Sequence, residues 1–139
     1  MIGLDFGERR IGVAISDVRG VTARALPVIE RESAAKDVAR IRELAASRKV
    51  QKIIMGLPLN MDGSCGPAAR RTRRFASLLR RELGIEVVMW DERLTTVEAE
   101  RNLIAGGQRR QRRRALRDGI AASLILQQYL DAQRGSGQE

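Results

Sequence analysis

Acidic residues at three separate places in the chain could form a catalytic centre. Asp5 interrupts the apolar stretch IGLDFG, Asp91 and Glu92 lie side by side in VVMWDERL, and Asp118 precedes GIAASLIL. A carboxylate within a strand is costly unless a partner neutralises it. The chain has no histidine and one cysteine, which excludes Ser-His-Asp and Cys-His nucleophile schemes and thiolate zinc sites. If the fold gathers the acids, their oxygens suit Mg²⁺ or Mn²⁺.

The elements that must position these acids follow a regular order along the chain. The stretches MIGLDF, IGVAIS and VTARALPVIE predict three strands joined by tight turns, with Pro27 at a sheet edge or a bulge. Ser33 is a candidate N-cap for a helix, VQKIIMG predicts a buried strand, and Pro67 and Gly84 bound a second helix. IEVVMW predicts the fifth strand, and TVEAERNLIA and ALRDGIAASLILQQYLDA predict two more helices around the loop GGQRRQRRR.

This order predicts an α/β fold with one mixed five-stranded sheet. Tight turns make the first three strands antiparallel, and helix-length connections make the first, fourth and fifth strands parallel, with helices on both faces. Residues 1–132 are predicted to form a single domain and residues 133–139 a disordered tail. Sites in such sheets form near the carboxyl ends of parallel strands. The topology therefore predicts that the three groups of acids meet at one edge, where two cations could assist phosphodiester hydrolysis.

Composition favours a polyanionic partner. The formal net charge is +9, which points to nucleic acid, although a genome rich in G and C could also inflate the arginine content. Aromatic residues make up only 3 % of the chain, too few for a base-stacking sheet such as an RNA-recognition motif. The sequence shows neither a membrane span nor a signal peptide, and the cysteine usage fits a reducing compartment, so a cytoplasmic location is expected.

Each acid also has an ordinary explanation. Asp5 could cap a turn or pair with Arg10, and Asp91 or Glu92 could begin a helix. Asp118 could balance the charge of the arginines before it or complement the helix dipole in the first turn of the last helix. Taken singly, these explanations are as good as the catalytic one, and only convergence of the acids favours the metal centre.

Four segments resemble the YqgF/RuvX family of bacterial proteins: LDFGERRIGVAISD, GLPLNMDGSCGP, WDERLTTVEAE and DGIAASLILQQYLD. They follow one another in the family's order and cover nearly the whole chain, from Ile2 to Asp131. The resemblance implies an RNase H-like fold. It also implies a nuclease that matures pre-16S ribosomal RNA or resolves Holliday junctions.

The same resemblance implies which residues form the site. Catalytic and metal-binding acids are expected at Asp5, in the DER segment and at Asp118, with Glu92 preferred over Asp91 as the second acid. The expected cofactor is Mg²⁺ or Mn²⁺.

Four further residues are candidates for substrate binding. Asn60 could hydrogen-bond a phosphate or sugar, or it could merely shape its loop. Arg10 and Arg93 could contact phosphates or could instead pair with and position site carboxylates. Thr95 is a fourth candidate, and Thr95 or Thr96 could also cap the helix that follows.

The leading function is therefore a metal-dependent endonuclease acting on structured RNA, with a ribosomal precursor particle as a candidate partner and a monomer or weak homodimer as the expected state. A Holliday junction resolvase is the alternative, and it would require a symmetric dimer. A nucleic-acid-binding regulator without turnover fits the charge equally well. The ATP-binding fold of sugar kinases and actin begins with a similar acid and hairpin, but it needs two such domains.

Overall fold

The computed structural model describes residues 1–94 and 119–137. Thr95, Asp118, the predicted helix TVEAERNLIA, the loop GGQRRQRRR and the predicted start of the last helix at residues 115–118 lie outside the described residues. Within the described part of the chain, no helix is long and apolar enough to cross a bilayer.

The predicted sheet is confirmed in strand number, order and direction. Its order is β3-β2-β1-β4-β5. The two hairpin pairs, β1-β2 and β2-β3, are antiparallel, and β1-β4 and β4-β5 are parallel. The strands are β1 (Ile2–Phe6), β2 (Arg10–Ser16), β3 (Ala23–Glu30), β4 (Lys52–Leu57) and β5 (Glu86–Asp91). The carboxyl ends of β1, β4 and β5 therefore share one edge of the sheet, called the site edge below.

The prediction for Pro27 is confirmed on both counts. It lies on β3, an edge strand, where a missing N–H costs no ladder hydrogen bond. The register also shifts there, because Ile11 pairs with Ile29 whereas Val13 pairs with Leu26. Two β3 residues thus face the single residue Gly12, which is a β-bulge beside the strand that carries Asp5.

Three helices are described, and the predicted boundary residues of the first two are confirmed. Ser33 caps the first helix by accepting a 3.2 Å hydrogen bond from the Lys36 amide. Pro67 is the first residue of the second, and Gly84, at φ 67°, ends it in a left-handed conformation. The helices are α1 (Ala34–Ser47), α2 (Pro67–Leu83) and α3 (Ile120–Gly137), and a 3-10 turn (Glu92–Leu94) follows β5.

The helices cover opposite faces of the sheet, as predicted. Alternate strand residues such as Leu4 and Met55 pack with α1 and α2 in a large apolar cluster. The residues between them face α3 in a smaller cluster, where Ile54 meets Leu126. The α3 helix lies very close to the sheet, because a Cβ on Gly3 would come within 2.9 Å of the backbone oxygen of Ala122.

The C-terminal segment differs from the prediction of a disordered tail. The α3 helix continues to Gly137, so residues 133–137 are helical. One contributing contact is the ion pair between Asp131 and Arg134, one turn apart on the exposed side of the helix. The described helix also begins at Ile120, later than the predicted start at Ala115.

Candidate active site

Asp5 lies near the carboxyl end of β1 and faces α3. Its neighbours Leu4 and Phe6 pack on the opposite face, so the alternation of the strand directs Asp5 toward α3. On the adjacent strand it pairs with Gly12, where a Cβ would stand 3.3 Å from the Asp5 Cβ and 3.5 Å from the Ala122 Cβ. The half-buried carboxylate therefore lies at the rim of the α3 interface, beside a position kept small.

Glu92 is held on the same face by a different device. It is the first residue of the 3-10 turn after β5, and only 5 % of its surface is exposed. A Cβ on Gly56 of β4 would lie 2.5 Å from the Glu92 Oε1 and 2.5 Å from the Ile125 Cδ1. Because glycine has no side chain, the carboxylate can lie directly over the end of β4, against α3.

The strand register brings Asp5 and Glu92 to the same level of the sheet. In the parallel pair β1-β4, Leu4 is matched with Met55, so Asp5 lies level with Gly56, over which the Glu92 carboxylate sits. Neighbouring strands are about 4.8 Å apart. Two of the three predicted acids thus lie at the same level over adjacent strands, and their oxygen donors are of the kind that a hard divalent cation prefers.

The third predicted acid, Asp118, lies outside the described residues. Residues 1–94 and 119–137 contain no group of three or more acidic, histidine or cysteine side chains that could hold a metal ion. The described chain resumes at Gly119, which adopts φ +66° and packs so tightly that a Cβ would lie 2.9 Å from the Val13 backbone oxygen. Gly119 also lies beside Gly12, the cross-strand partner of Asp5.

Asp91 and Glu92 have distinct environments, although they are neighbours in sequence. The Asp91 carboxylate accepts hydrogen bonds from the Arg93 guanidinium at 2.8 and 3.2 Å and from the Arg93 amide at 2.9 Å. The Arg93 side chain is the main cause that lowers the pKa of Asp91 below its ordinary value. Asp91 is therefore engaged in an ion pair with Arg93, whereas Glu92 lies over Gly56 of β4.

Arg93 also reaches the loop that follows β4. Its Nη1 donates to the Met61 backbone oxygen at 3.2 Å, and a Cβ on Gly63 would stand 3.4 Å from the same nitrogen. The arginine thus joins the end of β5 to the loop of residues 58–66. Of the two alternatives open from the sequence, this geometry favours positioning, by pairing with a carboxylate, over direct phosphate contact.

The remaining substrate-binding candidates have partners of their own. Arg10 pairs across the sheet with Glu30 at 2.8 Å. Glu30, and not Asp5, is therefore the partner that the structure shows for Arg10. The Asn60 side-chain amide donates to the Ser64 hydroxyl at 2.9 Å, in keeping with the loop-shaping alternative. The fourth candidate, Thr95, lies outside the described residues.

Gly56 is a site residue that sequence reasoning did not single out. It lies at the end of the buried strand KIIMGL, and a glycine inside a strand often marks a close approach by another group. That signal was present, but its meaning depended on Glu92 folding back over β4. Only the register between β4 and β5, in which Gly56 pairs with Trp90, reveals that arrangement.

Exposed arginines follow the outer surface of α2. The helix begins at the site edge, directly after the 58–66 loop, and Arg70, Arg73 and Arg74 are exposed in its first half. Arg70 donates to the Cys65 backbone oxygen, whereas Arg73 and Arg74 make no ion pair or side-chain hydrogen bond within the described chain. Their charges are therefore available to an anionic partner near the site.

Comparison with known proteins identifies the family. Residues 1–132 match the family model described as RuvX: Holliday junction resolvase. The chain belongs to the RuvX family. This confirms the resemblance carried by the four sequence segments, and the match spans both described parts of the chain and the segment between them.

Relatives of this RuvX chain are similar over nearly their full length. A protein of Halothermothrix orenii is 50 % identical over 133 residues, which cover 96 % of this chain and 95 % of the relative. One of Heliobacterium modesticaldum is 48 % identical over 132 residues, covering 95 % and 89 %. Both carry the name "Putative pre-16S rRNA nuclease".

Solved structures establish the fold class. The Thermus thermophilus RuvC structure in complex with a Holliday junction substrate matches with a TM-score of 0.59 at 17 % identity, covering 98 % of each chain. The fowlpox virus resolvase bound to junction DNA matches with a TM-score of 0.50 at 8 % identity, covering 95 % of this RuvX chain and 97 % of that chain. The expected RNase H-like fold is thereby confirmed.

Proposed function

We propose that this chain is a divalent-metal-dependent endonuclease that cleaves phosphodiester bonds in structured RNA, with precursor 16S ribosomal RNA as its substrate in the cytoplasm. The observation that carries the proposal is the position of Asp5 on β1, level with Gly56 of β4, over which the Glu92 carboxylate lies. Family membership and the names of the relatives give independent support.

The chemistry assigned to the site follows from its donor set. Asp5 and Glu92, with Asp118 as the third acid, would hold one or two Mg²⁺ or Mn²⁺ ions. Asp118 directly precedes Gly119, which packs beside Gly12, the cross-strand partner of Asp5. When bound, such ions activate a water and stabilise the leaving oxygen of a phosphodiester. The carboxylates would hold these ions in position, and a site made only of oxygen ligands needs no histidine.

The surrounding charges would guide and hold the polyanion. The free guanidinium groups of Arg73 and Arg74 lie on α2, which starts at the site edge, and the formal charge of +9 favours association with RNA. Contacts of this kind position a backbone without reading its sequence. Selection of a cleavage site therefore requires RNA shape or a partner, and a ribosomal precursor particle would supply both to a monomer or weak homodimer.

The test compares cleavage by the wild-type protein and by Asp5→Asn. We expect the wild-type protein to cut precursor ribosomal RNA with Mg²⁺ or Mn²⁺ and not with chelator. Asp5→Asn should lose at least about a thousandfold in rate while binding the RNA normally, because it retains the shape but not the charge of the ligand.

The matched control is Glu86→Gln. Glu86 is an exposed acid at the opposite edge of the sheet, at the start of β5, so its removal changes the net charge equally and should leave cleavage intact. Wild-type cleavage by Asp5→Asn, or cleavage that persists in chelator, would contradict the proposal.

A four-way DNA junction is the second candidate substrate. The family description names Holliday junction resolvase, and the fold matches RuvC. The same assay with a synthetic junction separates the two candidates. Paired, symmetric nicks in the junction by a dimer, with precursor RNA left uncut, would favour the resolvase.

A further inference from the structure

Every aromatic ring of the chain is used in packing. The sequence has two phenylalanines, one tryptophan and one tyrosine. Phe6 stacks on Phe75 with ring centroids 4.4 Å apart, and the Arg31 guanidinium covers Phe6 at 4.3 Å. Trp90 meets Tyr129 edge to face at 5.8 Å between centroids. Proteins that bind unpaired nucleotides usually stack them on an aromatic side chain, and no such ring is left over here.

Met61 offers an apolar group beside the site. Met61 is 78 % exposed at the tip of the 58–66 loop. This loop follows β4, which ends at the site edge. Two other large apolar residues are exposed in the described chain, namely Val18, which lies at the opposite edge, and Ile120, which is only 36 % exposed. The methionine thioether is unbranched and polarizable, and methionine is among the side chains that wedge between bases.

The loop that carries Met61 is closed by its own hydrogen bonds. The Asn60 backbone amide donates to the Ser64 backbone oxygen, and the Gly63 backbone amide donates to the Asn60 backbone oxygen. Both hydrogen bonds are 2.9 Å long. The Asp62 carboxylate accepts from the Ser64 hydroxyl at 2.6 Å and from the Ser64 amide at 2.9 Å. A loop closed in this way holds the Met61 backbone in place, so little backbone order has to be gained on binding.

The same loop is tied to the candidate catalytic residues. Arg93, which follows Glu92, donates to the Met61 backbone oxygen and is itself fixed by Asp91. The Met61 backbone is therefore one side chain away from the turn that carries Glu92. This hydrogen bond places the loop that carries Met61 at the same edge of the sheet as Glu92.

We infer that Met61 packs against an unstacked nucleobase beside the scissile phosphate, and that this contact makes the protein prefer bulged or kinked sites over continuous duplex. The inference rests on the proposed function, because it takes nucleic acid as the ligand. It adds a source of site selection that backbone contacts from arginines lack.

The test measures binding without cleavage. All variants carry Asp5→Asn, and the probes are two RNA hairpins with 2-aminopurine, placed in a single-nucleotide bulge or in the paired stem. We expect Met61→Ala to weaken binding of the bulged hairpin about fivefold or more and to leave the paired hairpin unchanged. Met61→Phe should keep the preference and quench the bulged fluorophore further.

Val18→Ala is the matched control, because it removes a fully exposed apolar side chain at the opposite edge of the sheet. It should change neither affinity. Equal affinities of Met61→Ala and its parent for the bulged hairpin would overturn the inference and leave the nuclease proposal standing. Failure of the Asp5→Asn parent to bind either hairpin would overturn the inference, and cleavage of precursor ribosomal RNA by the wild-type protein would still test the nuclease proposal separately.

Discussion

The two faces of the sheet each bury a carboxylate, but in opposite surroundings. In the described chain the buried acids are Asp37, which is fully buried near the start of α1, and Glu92, which is 5 % exposed beneath α3. Asp37 contacts Arg31 and a backbone amide, whereas the Glu92 carboxylate lies over Gly56 at the end of β4. Asp37 therefore stabilises the fold, whereas we propose Glu92 as a metal ligand.

Asp37 belongs to a structural network. Its Oδ1 accepts a 3.1 Å hydrogen bond from the Glu32 amide, and its Oδ2 lies 3.5 Å from the Arg31 Nε. The start of a helix also favours a negative charge. Arg31 in turn donates to the backbone oxygens of Gly7 and Glu8, so the pair holds the turn between β1 and β2.

The α3 face is built instead around missing side chains. Gly3 admits the α3 backbone, Gly12 leaves room beside Asp5, and Gly56 leaves room for Glu92. On the other face the corresponding positions carry large residues such as Leu4 and Met55. One face is thus filled for stability, and the other keeps space at its rim where charged groups and a ligand can meet.

Among variants that test this contrast between the faces, the largest effect is expected when that space is filled. Gly56→Ala places a Cβ 2.5 Å from the Glu92 Oε1 and from the Ile125 Cδ1, so the carboxylate must move. Both atoms are ends of flexible side chains, so the fold should persist. We expect the cleavage rate to fall about a hundredfold, the usual result of a misplacement near 1 Å. Gly135→Ala, where nothing lies within 4 Å, should leave cleavage unchanged.

If Gly56→Ala retained cleavage within about threefold of the wild-type rate, the glycine would not determine the position of Glu92 and the contrast between the faces would be weakened. Measurement of cleavage under single-turnover conditions, together with the unfolding midpoint, separates a displaced carboxylate from an unfolded protein.

A smaller effect, on stability alone, is expected on the other face. Asp37→Asn keeps the shape of the side chain but leaves Arg31 without its counter-charge. We expect the free energy of unfolding in urea to fall by about 2 kcal/mol, with cleavage by the folded protein nearly unchanged. Glu43→Gln, an exposed acid on the same helix, is the control and should have no measurable effect. Loss of cleavage without loss of stability would reverse the assignment of the two acids.

The smallest effect concerns pH and the Asp91–Arg93 pair. Because the folded protein lowers the pKa of Asp91, the pair contributes its full stability above the unfolded-state pKa near about 4 and loses it as the pH falls through the folded value. Asp91→Asn should therefore be less stable than wild type at pH 7, and the difference should shrink below about pH 4. A difference that stays constant down to pH 3, in urea unfolding, would contradict the role of the ion pair.

The sequence predicts most of the scaffold because its signals are local. Alternation in MIGLDF assigns Asp5 to the face opposite Leu4, and Ser33, Pro67 and Gly84 mark helix ends by their own chemistry. Helix-length connections dictate the parallel pairs. These features need no knowledge of distant contacts.

The sequence does not predict which partner each polar residue finds. Arg10 pairs with Glu30 because the β2-β3 register sets them opposite each other, and Arg93 takes Asp91 because the turn after β5 folds back. Gly56 becomes important only when Glu92 lies over it. Such contacts depend on tertiary geometry, which local patterns do not encode.

The most direct test of the account is Mn²⁺ binding, measured by calorimetry or electron paramagnetic resonance in the absence of RNA. The wild-type protein should bind Mn²⁺, and Glu92→Gln should weaken the affinity about tenfold or more, because a buried ligand loses its charge. Glu86→Gln, equal in charge change but at the far edge, should bind as the wild type does. An unchanged affinity in Glu92→Gln would contradict the claim that Asp5 and Glu92 share a cation.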